Sequence, residues 1–487
     1  MDTDVAIIGS GFAGLGMAIR LKQAGRDDFV MLERGDDVGG TWHYNTYPGC
    51  ACDVPSHLYS FSFAPNPGWS RTYSHQPEIL RYLRRCADDF GVRGHVRFSC
   101  EVSEARWDGR WRLETSDGTI SARVLVSATG ALAESKLPDI PGIDRFEGPR
   151  FHTAQWDHGF ECEGRRVAVI GTGASAIQVV PAIAGKVAHL DVYQRTPPWV
   201  TPHTGRPVSA LEQRLYKALP PLQRLLRGGI YAARELLVLG FVKDPRLMKV
   251  VERVSRRHIE RQVRDPELLA KVTPDYTIGC KRILPSNDWY PALGRDNVDL
   301  HTSAIAEIRE RSIVTEDGLE REVDALVFGT GFHVTDMPAA QFLHGREGKS
   351  LDEVWQGSPR ALLGTAIAGF PNLFLLLGPN TGLGHSSMVY MIESQIAHVL
   401  AALRAMDAHG AAAAEARPEA VAIYNADLDE RMQRTVWTTG CSSWYVDRTG
   451  RNSALWPDWT WRFRQRAGRF EEADYRLLEP AREPVAA

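Results

Sequence analysis

Several things are missing from this sequence, and each absence excludes a class of protein. No apolar run approaches the ~20 residues that a bilayer-spanning helix requires; Leu236–Val242 and Leu373–Leu377 are among the longest. Net charge is also nearly absent. Lys and Arg total 57 against 60 Asp and Glu, a formal charge of −3, so the whole chain offers no electrostatic case for nucleic acid or an anionic membrane. Strand-like sequence begins almost at once, at Asp4–Ile8; this leaves no room for a secretory leader, and a cytoplasmic location is expected. The seven cysteines are an odd number and none forms a C-x-x-C pair. Free thiols in a reducing compartment are the expectation, with neither disulfide nor metal centre. Cys50 and Cys52 lie close together, but cysteine commonly serves as a small buried hydrophobe. No internal repeat is evident.

What is present is globular composition, 44% hydrophobic and 24% charged over 487 residues, long enough for two or three domains. Val5–Ile8 is an apolar run that ends in Gly9-Ser10-Gly11-Phe12-Ala13-Gly14, followed by a helical pattern at Leu15, Ala18, Ile19 and Leu21. This is strand, G-x-G-x-x-G, helix. The first glycine permits a tight turn, the second lets a pyrophosphate approach the backbone, and the third lets helix and strand pack closely. The helix start then presents free N–H groups to phosphate. The next strand, Phe29–Leu32, ends in Glu33. A carboxylate there accepts hydrogen bonds from a ribose diol and repels a 2′-phosphate, which selects FAD or NAD over NADP.

A second unit of this kind starts at Arg166–Ile170 and continues through Gly171-Thr172-Gly173-Ala174-Ser175-Ala176. Its following strand, His189–Gln194, ends in Arg195-Thr196 instead of an acid. A guanidinium pairs bidentately with a phosphate dianion and a hydroxyl adds a hydrogen bond, so this site suits NADPH. Two nucleotide preferences in one chain imply electron transfer between them. Residues 205–275 change character: Leu211, Leu215 and Leu219, then Leu222, Leu225 and Leu226, then Val250, Val251 and Val254 recur at helical spacing. The stretch reads as a helical insertion whose arginines, interleaved with acids, form a solvated face.

Between the two turns stands Phe146-x-Gly148-x-x-x-His152-x-x-x-Trp156-Asp157. That arrangement resembles the fingerprint of type I Baeyer–Villiger monooxygenases, and the resemblance extends from Val5 to about Trp459. It implies an α/β protein with two interleaved Rossmann-like dinucleotide-binding domains: an FAD domain in two parts, 1–140 and 331–487, and an NADP domain, 150–330, that includes the insertion. The chain would cross between them at Leu125–Gly130 and Asp324–Gly331, Phe374–Leu377 would return to the flavin, and Pro480–Ala487 reads as a loose tail. The implied activity is oxidation of a ketone to an ester or lactone by NADPH and O₂ through a flavin C4a-peroxide. Arg282, in Gly279-Cys280-Lys281-Arg282, matches the catalytic arginine. Asp53 matches the carboxylate that orients it, Lys281 a residue touching NADP, and Trp444 a tryptophan touching NADP or substrate from a mobile loop.

Thr41, Trp42, Tyr44, Asp53, Tyr59, Val102 and Met388 match flavin-side positions, as do Gly39-Gly40 and Tyr47-Pro48-Gly49. His152 and Trp156 are expected to link domain movement to the flavin. Related oxygenases of sulfides and amines carry tyrosine in place of Trp156, which favours ketone oxidation here. Sulfide or amine oxidation and a non-catalytic flavin sensor are the alternatives. The sequence departs from the family pattern at Ala51, where much of the group has arginine, and in lacking the N-terminal extension of longer members.

Overall fold

The two apolar runs that precede the glycine turns become parallel strands, Asp2–Ile8 and Arg166–Ile170, whose last four residues are buried on both faces. Continuous burial of this kind suits a sheet covered on both sides. The structure, a computed structural model, describes residues 1–441 and 443–479; the segment 480–487, read above as a tail, lies outside the described residues.

Asp2–Ile8 pairs in parallel with Phe29–Leu32 on one side and Gly118–Ser127 on the other. An antiparallel meander, Val102–Trp107, Trp111–Thr115 and Gly118–Ser127, widens this eight-stranded sheet. Leu373–Leu375, nearly 250 residues downstream, pairs in parallel with Gly118–Ser127 and completes it. The second sheet has five strands, all paired in parallel, in the order Val298–His301, His189–Tyr193, Arg166–Ile170, Ala325–Phe328, Arg150–His152. Part of the fingerprint is therefore an edge strand of the second sheet. Between residues 205 and 275 the chain forms helices Ala210–Ala218, Pro220–Glu235, Met248–Gln262 and Pro266–Val272. Ser209 and Glu212 close a reciprocal capping box at the first of these, satisfying two N–H groups that the helix leaves free.

Each glycine turn is forced by contact. A Cβ on Gly14 would stand 1.9 Å from the carbonyl oxygen of Gly9. Gly9 has φ +96°, and a Cβ there would meet the Ala128 carbonyl oxygen at 2.7 Å. The second turn repeats this: Gly171 has φ +109° and a Cβ would lie 2.5 Å from the Gly329 carbonyl oxygen. In both sheets the turn thus packs directly on the chain leaving the neighbouring strand. Helix Met388–Ala408, buried along most of its length, packs against the helix Phe12–Gln23 that follows the first turn.

The expectation of seven free thiols is corrected at one pair. Cys280 and Cys441 form a disulfide with Cα atoms 6.2 Å apart. They are 161 residues apart in sequence, so no local spacing signals the pair; the fold alone brings their loops together. The remaining cysteines are free, and Cys50, Cys52, Cys86 and Cys100 are buried. Among the described residues no helix is long and apolar enough to cross a membrane.

Because the atom opposing a Gly14 side chain is backbone, Gly14→Ala cannot be relieved by a rotamer change. It is expected to cost at least the ~1–3 kcal/mol typical of overpacking and to lower flavin content. Gly94→Ala, where nothing lies within 4 Å of the added methyl, is the control and should leave thermal midpoint and flavin content unchanged.

Candidate active site

At the first turn the helix begins after Gly11 with no side chain capping it, which leaves its first N–H groups available to an anion. Gly39 donates its N–H to the Ser10 carbonyl at 3.1 Å, and Gly40 is so close that a Cβ would lie 2.8 Å from the Gly11 Cα. The Gly39–Trp42 segment therefore folds over the turn. Glu33 is buried and fully engaged. One carboxylate oxygen accepts from the Ser10 N–H at 2.9 Å and the Ser10 hydroxyl at 2.7 Å; the other accepts from the Gly35 N–H at 2.9 Å and the Tyr44 hydroxyl at 3.0 Å. Burial and the Glu33 charge push the Tyr44 phenol up to about 12. Trp42 donates its indole N–H to Tyr59 Oη at 3.1 Å, and Phe12 stands edge-on to Tyr59 with ring centroids 4.9 Å apart. Ala13 and Val102 are buried, Met388 is half-buried, and Thr41 is exposed.

The second turn is more open. Gly173 and Ala174 are exposed, and helix Ala176–Ile183 starts at Ser175 without a side-chain cap. Thr172 is buried and donates its hydroxyl to the Thr196 carbonyl at 3.2 Å, tying the turn to the end of the next strand. Arg195 is exposed there. Lys281, from a loop 86 positions later, is brought close enough that burial first and the Arg195 charge second pull its ammonium below the ordinary lysine range. Both turns, with their uncapped helix starts, fit the phosphates of a dinucleotide.

Arg282 meets Asp53 across 229 residues of sequence. Its Nε and Nη2 both donate to one oxygen of Asp53, at 3.1 and 2.6 Å. The Asp53 charge holds the guanidinium even more firmly protonated than usual. Both side chains line a cavity of about 460 Å³, whose other walls include Val54, Ile230, Leu237, Phe241, Met248 and Ile283. Tyr445 is buried nearby, its phenol pushed up to about 12 chiefly by burial. Its neighbour Trp444 is 47% exposed, with ring centroids 4.2 Å apart. The Cys280–Cys441 disulfide joins the Lys281-Arg282 loop to this segment.

The fingerprint residues have separate local tasks. Gly148 leaves no space, since a Cβ would meet the Asp324 carbonyl oxygen at 2.4 Å. Phe146 is buried in the core of the second sheet. His152 is buried; its Nδ1 accepts from the Ala154 N–H at 3.1 Å, and burial pulls its pKa down to about 4. Trp156 packs edge-on to Phe151 at 5.0 Å, and Asp157 accepts from the Gly159 N–H at 2.8 Å. Thr153, between them, donates to the Ser175 hydroxyl at 3.0 Å and so touches the second glycine turn.

Sequence reasoning missed Gln178. From the helix after the second turn it accepts from the Tyr47 hydroxyl at 3.0 Å and the Ala51 N–H at 3.2 Å, and donates to the Ala51 carbonyl at 3.1 Å. It clamps the Tyr47–Asp53 loop to the second nucleotide unit, and nothing in its local sequence marks it. A further grouping, His189, Asp191 and Asp299, has ligand atoms close enough for a metal ion, but Asp191 already meets His301 at 2.6 Å and Arg321 at 3.8 Å.

Comparison with known proteins agrees with this arrangement. The family model described as pyridine nucleotide-disulphide oxidoreductase matches residues 6–222. A Baeyer–Villiger monooxygenase of Streptomyces coelicolor is 53% identical, covering 99% of this chain and 94% of its own. An oxidised steroid monooxygenase bound to NADP superposes with a TM-score of 0.88 at 32% identity, covering 98% of this chain and 100% of the other. A protein called OTEMO, in complex with FAD and NADP, gives 0.85 at 29% identity, with 96% and 97% covered.

The buried histidines dictate a pH response. His57, His152 and His398 all have pKa values lowered from 6.5 to about 4, chiefly by burial. Between those limits the unfolded chain binds protons that the folded chain does not, so stability is complete above 6.5 and declines as pH falls toward 4. The thermal midpoint should drop over this window. His152→Asn, which retains an acceptor for the Ala154 N–H without titrating, should flatten the dependence even if it lowers the midpoint throughout.

Proposed function

The chain belongs to the Baeyer–Villiger monooxygenase family, with FAD and NADPH as cofactors, and from that membership we propose that the cavity at Arg282 and Asp53 is where a ketone is oxidised to an ester or lactone. The overall change is ketone, O₂, NADPH and a proton to ester, NADP⁺ and water. The observation that carries this reading is the single one of a permanently charged guanidinium, fixed by a carboxylate, in the wall of a cavity lined by both apolar and polar side chains.

When bound, NADPH supplies a hydride, and FAD accepts it and activates O₂. The protein's part is positioning and charge. Arg282 presents a preorganised cation where negative charge collects on the former carbonyl oxygen, and such a donor costs no reorganisation at the moment of reaction. Arginine suits this task because it stays protonated in a dry pocket. Asp53 holds the guanidinium by Nε and Nη2, leaving the Nη1 hydrogens for substrate. The apolar part of the wall, which includes Ile230, Leu237 and Phe241, strengthens that interaction by lowering the local dielectric.

At the nucleotide sites, Arg195 and Lys281 recognise the 2′-phosphate together. Glu33, which also accepts from the hydroxyls of Ser10 and Tyr44, would hold the ribose of FAD. Residues 1–140 with 331–487 form the FAD domain and 150–330 the NADP domain. Trp444, half-exposed beside Tyr445 on the segment tied to the Arg282 loop by the disulfide, is the proposed contact with NADP or substrate.

Arg195→Ala should raise KM for NADPH far more than for NADH. Hydrogen bonds to a charged group contribute ~1.5–3 kcal/mol, a loss of about 10- to 100-fold; equal weakening of both coenzymes in steady-state assays would remove the assignment. Arg282→Ala should retain FAD but lose about 10²–10³ in ester formation, with NADPH consumption diverted to hydrogen peroxide. Lysine should rescue only partly, since it lacks the planar fork. Product analysis by mass spectrometry decides: ester at the parent rate from Arg282→Ala refutes the mechanism.

A further inference from the structure

The helices of the insertion have an outer surface unlike the rest of the protein. Of the eighteen large apolar side chains exposed among the described residues, ten fall between residues 211 and 254. They include Leu211 (67% exposed), Leu219 (54%), Leu225 (73%), Leu236 (62%) and Val250 (59%). Isolated exposed leucines are ordinary, but a concentration of them marks an interaction surface.

Charge on the same stretch is one-sided. Arg214, Lys217, Arg224, Arg246, Lys249 and Arg253 are exposed, and no ion pair engages them. The acids are accounted for. Glu212 pairs with Arg206 and Glu252 with Arg256. Glu235 is buried and accepts from Thr460, with His385 at 3.3 Å. Asp244 alone is exposed, and it accepts from the Arg246 backbone N–H. The near-neutral charge of the whole chain conceals this local excess of cations.

We propose that the outer face of the insertion helices docks on an anionic lipid bilayer surface. Leucines enter the boundary between headgroups and acyl chains while the flanking arginines and lysines meet lipid phosphates, the pattern of an interfacial amphipathic helix. A second copy of this chain is the poorer occupant, because a two-fold contact sets the same cations against one another. Nucleic acid uses the cations but leaves the leucines exposed. The same helices also supply Ile230, Met248 and Val251 to the wall of the Arg282 cavity. Docking therefore sets the cavity beside the lipid phase, into which apolar ketones partition. This last step rests on the ketone reading; the surface itself does not.

The test is co-sedimentation of the FAD-loaded enzyme with sucrose-filled vesicles of phosphatidylcholine alone, or of phosphatidylcholine with phosphatidylglycerol. The enzyme should pellet with the anionic vesicles, remain in solution with the neutral ones, and be released by salt. Replacing Arg214, Lys217 and Arg224 by glutamine should lower partitioning roughly a hundredfold. Leu225→Glu with Leu236→Glu should abolish it while leaving flavin content and turnover of a water-soluble ketone unchanged. Turnover, measured without vesicles, separates failure of the ketone reading from failure of the surface. Equal binding to both vesicle types, no binding to either, or a concentration-dependent dimer in sedimentation velocity that Leu225→Glu dissolves would each overturn the proposal.

Discussion

The pairing of Arg282 with Asp53 is the contact on which the site depends. A carboxylate partner offsets the cost of withdrawing the Arg282 charge from water. Asp53 follows the first nucleotide turn, whereas Arg282 follows the insertion, 229 residues later. The pair forms only when the two nucleotide units have folded and met. Its neighbours reinforce that requirement. Gln178 holds the Asp53 loop to the helix of the second turn, and the Cys280–Cys441 disulfide ties the Arg282 loop to the segment bearing Trp444 and Tyr445.

The interleaved topology makes this meeting possible. The first sheet is finished by Leu373–Leu375, after the whole second sheet has formed from intervening residues. The chain leaves the first sheet near Ser127 and leaves the second near Phe328, and at each exit it passes directly beneath a glycine turn, Ala128 under Gly9 and Gly329 under Gly171. The crossings and the nucleotide turns are thus in backbone contact. Thr153, through its bond to Ser175, ties the fingerprint segment to the second glycine turn as well.

Charge is distributed by the same logic of partners. Glu33 accepts from four protein donors, so it closes the first turn. Arg195 is exposed at the second turn, and burial together with the Arg195 charge lowers the pKa of Lys281. Between residues 211 and 254 the insertion continues that contrast, its exposed cations outnumbering its exposed acids.

The sequence by itself determined the local features. Glycine spacing, the apolar runs before each turn and the helical insertion were all legible, because turn sterics and strand burial are set by consecutive residues. The fingerprint was recognisable too, and Gly148 needs no more than the close approach of one neighbouring strand. Tertiary structure alone decided the rest: the disulfide against an expectation of free thiols, the clamp at Gln178, the saturation of Glu33, and which leucines of the insertion face outward. Each of these is a contact between segments distant in sequence, or a choice of face made by what packs opposite. Residue order fixes which partners a side chain is able to take, but only the closing of the two sheets brings a particular partner within reach.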